Sequence, residues 1–65
     1  MQVTINGESR SVTASTLQQL TDELELDLRK VAIEHNMVII PRGQYDATML
    51  KEGDTLEIVE FIGGG

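Results

Sequence analysis

Thr55-Leu56-Glu57-Ile58-Val59-Glu60-Phe61-Ile62 alternates in the two-residue rhythm of a β-strand and runs straight into Gly63-Gly64-Gly65. In a strand, Leu56 and Ile58 share one face with Glu60 and Ile62, and Val59 and Phe61 share the other with Thr55 and Glu57. With Leu56 and Ile58 turned to a core, Val59 and Phe61 point outward beside the glycines. An exposed aromatic next to a β-branched residue reads as part of a docking surface, while the competing reading folds Phe61 over the sheet's end as core. Glycine loses more freedom on ordering than any other residue, so three of them add nothing to a small fold. They do supply a thin arm, reaching roughly 10 Å when extended, with a carboxylate at its tip. A frayed end is the plain alternative.

The chain upstream of this strand supplies its partners. Met1, Val3 and Ile5 alternate with Gln2, Thr4 and Asn6, and Asn6-Gly7 has the positive-φ tolerance that a type I′ hairpin turn needs. A return strand over about residues 9–13 follows, with Val12 and Ala14 directed inward. Ser15 to Gln18 and Thr16 to Gln19 both fit a capping box, and Leu17, Leu20 and Leu24 form an apolar stripe on a helix of roughly three turns. Leu26 and Leu28 are expected to seat the helix exit against the sheet. Val31-Ala32-Ile33 and Val38-Ile39-Ile40 read as two further strands around a turn at Asn36, the second halted by Pro41. A loop or 3₁₀ segment then brings Tyr45, and either Met49 or Leu50, beneath the core. Lys51-Glu52-Gly53-Asp54 turns the chain into the last strand. This order predicts an α+β roll: a mixed sheet of four to five strands packed on one main helix.

Composition narrows the chemistry. Sixty-five residues make one domain, and the absence of cysteine removes disulfides, thiolate metal sites and a cysteine nucleophile together. Asp22, Glu23, Glu25 and Asp27 read as a solvated acidic face, because no histidine or calcium-type loop joins them. His35, the single histidine, is expected at the surface beside a turn. Ser9, Ser11 and Ser15 lack a neighbouring base, which argues against catalysis by the chain itself. Five Lys and Arg against eleven Asp and Glu leave a net charge of −6, which disfavours nucleic acid and anionic membrane; it suits a partner with a basic surface, while the plainer reading is that it keeps a small domain soluble. Residues 1–15 are too polar for a signal peptide, and the apolar run at 37–40 is too short to span a bilayer, so a cytoplasmic location is expected.

Several stretches, in order, resemble the ThiS family of sulfur carriers. They are Gln2-Val3-Thr4-Ile5-Asn6-Gly7, Thr16-Leu17-Gln18-Gln19-Leu20, Val31-Ala32-Ile33-Glu34-His35-Asn36, Ile39-Ile40-Pro41-Arg42, Gly53-Asp54-Thr55-Leu56-Glu57-Ile58-Val59 and Phe61-Ile62-Gly63-Gly64-Gly65. Two departures stand out: Asn36-Met37 where the family often has Asn-Gly, and Tyr45 where it often has Trp. The resemblance implies a ubiquitin-like β-grasp domain over residues 1–62 and a flexible tail over 63–65. It implies a protein co-substrate with no bound cofactor and no metal. A ThiF- or MoeB-like enzyme would use MgATP to adenylate Gly65, and a persulfide sulfur donor of the cysteine desulfurase type would convert it to a thiocarboxylate. A ThiG-like thiazole synthase would then take the sulfur for thiamine. Gly63 and Gly64 would thread the partner's cleft, and Glu57, Val59, Glu60, Phe61 and Ile62 would dock against it. The alternatives are a MoaD-like carrier for molybdopterin synthesis, a ubiquitin-like modifier of lysines, and a β-grasp binding module whose end is inert.

Overall fold

The computed structural model describes residues 1–61. Five strands form one mixed sheet: β1 (Gln2–Ile5), β2 (Glu8–Ser11), β3 (Val31–His35), β4 (Val38–Ile39) and β5 (Thr55–Glu60). Their order is β2-β1-β5-β3-β4, with α1 (Leu17–Glu23) crossing one face. β1 and β5 run parallel side by side, and the other pairings are antiparallel. The expected roll is thus observed, with five strands.

Alternation decides what is buried. Val3 and Ile5 of β1, Val31 and Ile33 of β3, and Leu56 of β5 point to the helix side and close on Leu17 and Leu20 of α1. β2 contributes no core residue: all four of its side chains are exposed, as suits an edge strand, and burial resumes at Val12 and Ala14 just beyond it. Leu24, Leu26 and Leu28 pack half-buried against the rim. Tyr45, carried on a 3₁₀ segment (Arg42–Ala47), is 1 % exposed and plugs the lower end of the core together with Leu50, whereas Met49 faces solvent. Burial raises the Tyr45 hydroxyl pKa, outweighing the nearby Arg42 charge and a backbone hydrogen bond at Ile33.

Helix α1 is shorter than its leucine stripe suggests. Of the two capping frames, the Thr16 one is used: its Oγ1 accepts from Gln19 N at 3.1 Å, and the Gln19 side chain turns back to accept from Ser15 N at 2.8 Å. The far end closes after Glu23, where Glu25 takes φ 57° and bonds run from Glu25 N to Asp22 O and from Leu26 N to Thr21 O. That is the Schellman pattern with glutamate in the position glycine usually fills. Leu24 therefore caps the helix instead of extending it. The acidic stretch is also less idle than a solvated face. The Thr13 hydroxyl, with the Thr13 and Ala14 amides, binds the Glu23 carboxylate and holds it below the usual range against a smaller opposing effect of burial. Asp27 caps the 3₁₀ turn Leu28–Lys30 through Arg29 N.

Both hairpin turns use residue pairs at positive φ. Asn6 and Gly7 lie at 51° and 84°, and Asn36 and Met37 at 50° and 72°. Glycine adopts the second position without penalty; methionine does not. Met37 is 89 % exposed, so its side chain recovers little by packing. Met37→Gly is expected to stabilise the domain by about 1 kcal/mol, seen as a rise of several degrees in Tm. An unchanged or lower Tm would contradict that reading of the turn.

Candidate functional site

The site lies where β5 leaves the sheet. Glu60 pairs with Val31, and Phe61 N donates to Lys30 O at 2.6 Å, so the pairing of β5 with β3 persists one residue beyond the strand. Leu56 is fully buried and Ile58 half-buried, which turns Val59 and Phe61 away from the helix. They are 56 % and 47 % exposed. The alternative that Phe61 closes the core is therefore not what the fold does. Glu57 and Glu60 are exposed as well. Ile62, Gly63, Gly64 and Gly65 lie outside the described residues.

Two grooves flank this end. On the helix side, the short α1 leaves part of the sheet uncovered, and an open groove of about 250 Å³ is lined by Ile5, Asn6, Arg10, Leu24, Leu26, Ile58 and Glu60. On the opposite face, Val59 borders a groove of about 80 Å³ with Ala32, Glu34, Ile39 and Glu57. Beyond it, Val38 and Ile39 of edge strand β4 are largely exposed. Short and apolar throughout, β4 gives no sign in the sequence that both its side chains stand clear of the core; only the neighbouring strands' positions reveal it.

A polar framework fixes the path of β5. The Asn6 side chain accepts from Ile58 N at 2.7 Å and donates to Ile58 O at 3.0 Å, acting as one more residue of strand beside β5. At the other end, Asn36 Oδ1 accepts from Thr55 N at 2.9 Å. His35 corrects the sequence reading: it is half-buried, and its Nε2 lies 2.7 Å from Asp54 Oδ2. Asp54, 8 % exposed, also accepts from Lys51 N at 2.8 Å and from Asn36 Nδ2 at 3.1 Å. Burial pushes its carboxyl pKa up, but the bonds from His35, Asn36 and Lys51 together pull it below its ordinary value. The signal was the pairing of Asp54 with a turn glycine, which placed the residue at a turn but not its partner nineteen residues upstream. Among the described residues, no three His, Cys, Asp or Glu side chains come together as a metal site.

The pattern of the ThiS family matches residues 3–65. The chain belongs to the ThiS family. Within that family's reach, it is 30 % identical over 63 residues to the sulfur carrier protein ThiS of Thermus thermophilus, covering 97 % of this chain and 98 % of that one. It also superposes on the crystal structure of the thiamine biosynthesis protein ThiS from Geobacter metallireducens with a TM-score of 0.84, at 32 % identity and full coverage of both chains. The sheet and helix of this ThiS family member are thus the β-grasp arrangement expected from the sequence. A longer relative is also similar: the thiazole synthase of Paramagnetospirillum magneticum, 50 % identical over 66 residues. All of this chain is matched there, but the chain spans only 20 % of that protein's length.

Proposed function

We propose that the chain carries sulfur, as a thiocarboxylate on Gly65, for the making of the thiazole of thiamine. The observation that bears most weight is the family match running through residue 65, so that the three glycines belong to the shared pattern. An α-carboxyl group has a pKa of about 3.3–3.7 and is ionised at neutral pH, ready to attack the α-phosphorus of ATP. Repulsion between carboxylate and polyphosphate has to be offset by a metal ion and cationic groups, which fall to a ThiF- or MoeB-like adenylating enzyme using MgATP. Pyrophosphate leaves as the acyl-adenylate forms. The terminal sulfur of a persulfide donor then displaces AMP to give an acyl disulfide, and attack of a thiol on its S–S bond releases the thiocarboxylate and leaves the thiol in a disulfide with the donor.

The chain's own part is presentation. Gly63 and Gly64 lack a Cβ and suit a cleft that a larger residue would not enter. Val59 and Phe61, both exposed, with Glu57, Glu60 and Ile62, would hold the partner at the root of the tail. A thiazole synthase as recipient is supported by the relative in which the whole chain corresponds to a fifth of such an enzyme. The same likeness favours thiamine over molybdopterin synthesis. No described helix is long and apolar enough to cross a membrane, and a cytoplasmic setting accords with the ATP-dependent activation.

Incubating the chain with an adenylating enzyme, MgATP, a persulfide donor and a thiol reductant is expected to add the mass of one oxygen-to-sulfur exchange, located at Gly65 by fragmentation. Covalent adducts to lysines, with no such exchange, would favour a modifier instead. An unaltered mass with active partner enzymes would overturn both.

A further inference from the structure

On the outer face of the sheet, two like charges stand together uncompensated. Glu34 of β3 is directly opposite Glu57 of β5, one step along from the pair Ala32 and Val59 on that same face. Carboxylates facing each other across adjacent strands repel and cost the sheet stability. Among the described residues the ion pairs are Arg29 with Asp27 and His35 with Asp54, so neither glutamate has a cation of its own. Between and beside them runs the groove of about 80 Å³, walled by Ala32, Ile39 and Val59. Aliphatic walls leading to two carboxylates match one kind of side chain closely. A long cationic residue lays its methylenes on apolar surface and keeps its head on the acids. The planar guanidinium, with donors on several edges, can bond two carboxylates at once where an ammonium acts as a point charge.

We infer that this groove receives an arginine side chain of thiazole synthase, clasped between Glu34 and Glu57 with its stem along Ala32, Ile39 and Val59. The inference rests on the carrier reading above. The synthase is the chosen partner because a stretch half identical to this chain is part of a thiazole synthase polypeptide. The net charge of −6 favours a basic surface opposite. Glu34 and Ile39 thereby extend the docking face well beyond the residues at the root of the tail.

The test is isothermal titration of a separately encoded thiazole synthase with the 65-residue chain, at low and high salt. Wild type, Glu34→Gln, Glu57→Gln and the double variant are compared, alongside their Tm. The double variant is expected to bind about 30-fold more weakly and to lose most of the salt dependence. Its Tm should rise, because the repulsion is gone. This opposition of affinity and stability is what a merely structural pair would not give. A double variant that binds like wild type with the same salt dependence overturns the inference, as does a wild-type chain that does not bind. Sulfur loading of Gly65, followed on the same samples by mass spectrometry, keeps the two claims apart. Normal loading with unchanged binding rejects the arginine site alone, while failed loading of wild type rejects the carrier reading beneath it.

Discussion

Asp54→Ala is expected to destabilise the domain by about 3 kcal/mol, a large share of what a chain of this size has. The carboxylate accepts from His35, Asn36 and the Lys51 amide, and it is 8 % exposed. Its loss leaves three donors without an acceptor at the entrance to β5. Asn36 in turn holds Thr55 N, so the damage spreads to the register of the strand. Asp54→Asn should be nearly as harmful, since either orientation of an amide turns its NH₂ toward a donor. The pH dependence has a fixed sign. The folded carboxyl titrates below its ordinary value of 3.8, so its contribution is complete above that value and is lost as pH falls through the folded one. Thermal denaturation from pH 7 downward should therefore show wild type and Asp54→Ala converging below about pH 4. Parallel curves throughout would show that the carboxylate's charge does not contribute as described.

Gly64→Val and removal of Gly65 are expected to act in the opposite sense, on activity alone. Among the described residues, every buried apolar one lies between Val3 and Leu56, so neither change is expected to move Tm by more than a degree or two. Sulfur loading should stop altogether without Gly65, because its carboxyl carbon is the one proposed to react. With Gly64→Val it should fall by roughly 100-fold or more, the loss that goes with a reacting group displaced by about an ångström. Loading is followed by mass spectrometry with adenylating enzyme, MgATP and sulfur donor in excess. A Gly64→Val chain that loads at the wild-type rate would mean the partner's cleft is wide. A large drop in Tm for either variant would mean that the tail belongs to the fold.

What could be read in advance follows the range of the interactions involved. Strand alternation, the Asn6-Gly7 turn and the Thr16 cap are encoded within a few residues, and all appear where expected. Burial of Leu50 in preference to Met49 does not follow from the sequence, because the choice depends on how a loop meets the start of the helix it bonds through Leu17 N and Ser15 O. α1 is shorter than its leucine stripe predicts, since the stripe does not register Glu25 entering the left-handed region. Most distant from view were the His35–Asp54 contact and the Glu34–Glu57 pairing, which exist only once β3 and β5 are aligned. In the candidate site, outward placement of Val59 and Phe61 was legible from one strand's alternation. The apolar edge at Val38 and Ile39 was not, because it depends on β4 lying at the margin of the sheet.

The parallel neighbours β1 and β5 have a consequence for how the chain comes into being. Ile5 sits beside Leu56 at the centre of the sheet, so the first strand made has to wait for the last before the core can close. Such distant pairings slow folding, because the loop entropy is lost before the contact forms. They also act as proofreading during synthesis. A polypeptide released before Thr55 has β1 and β3 without the strand that joins them, and its exposed apolar faces mark it for degradation. Any molecule that reaches the folded state has therefore been translated at least through β5. Folding thus inspects the chain as far as β5.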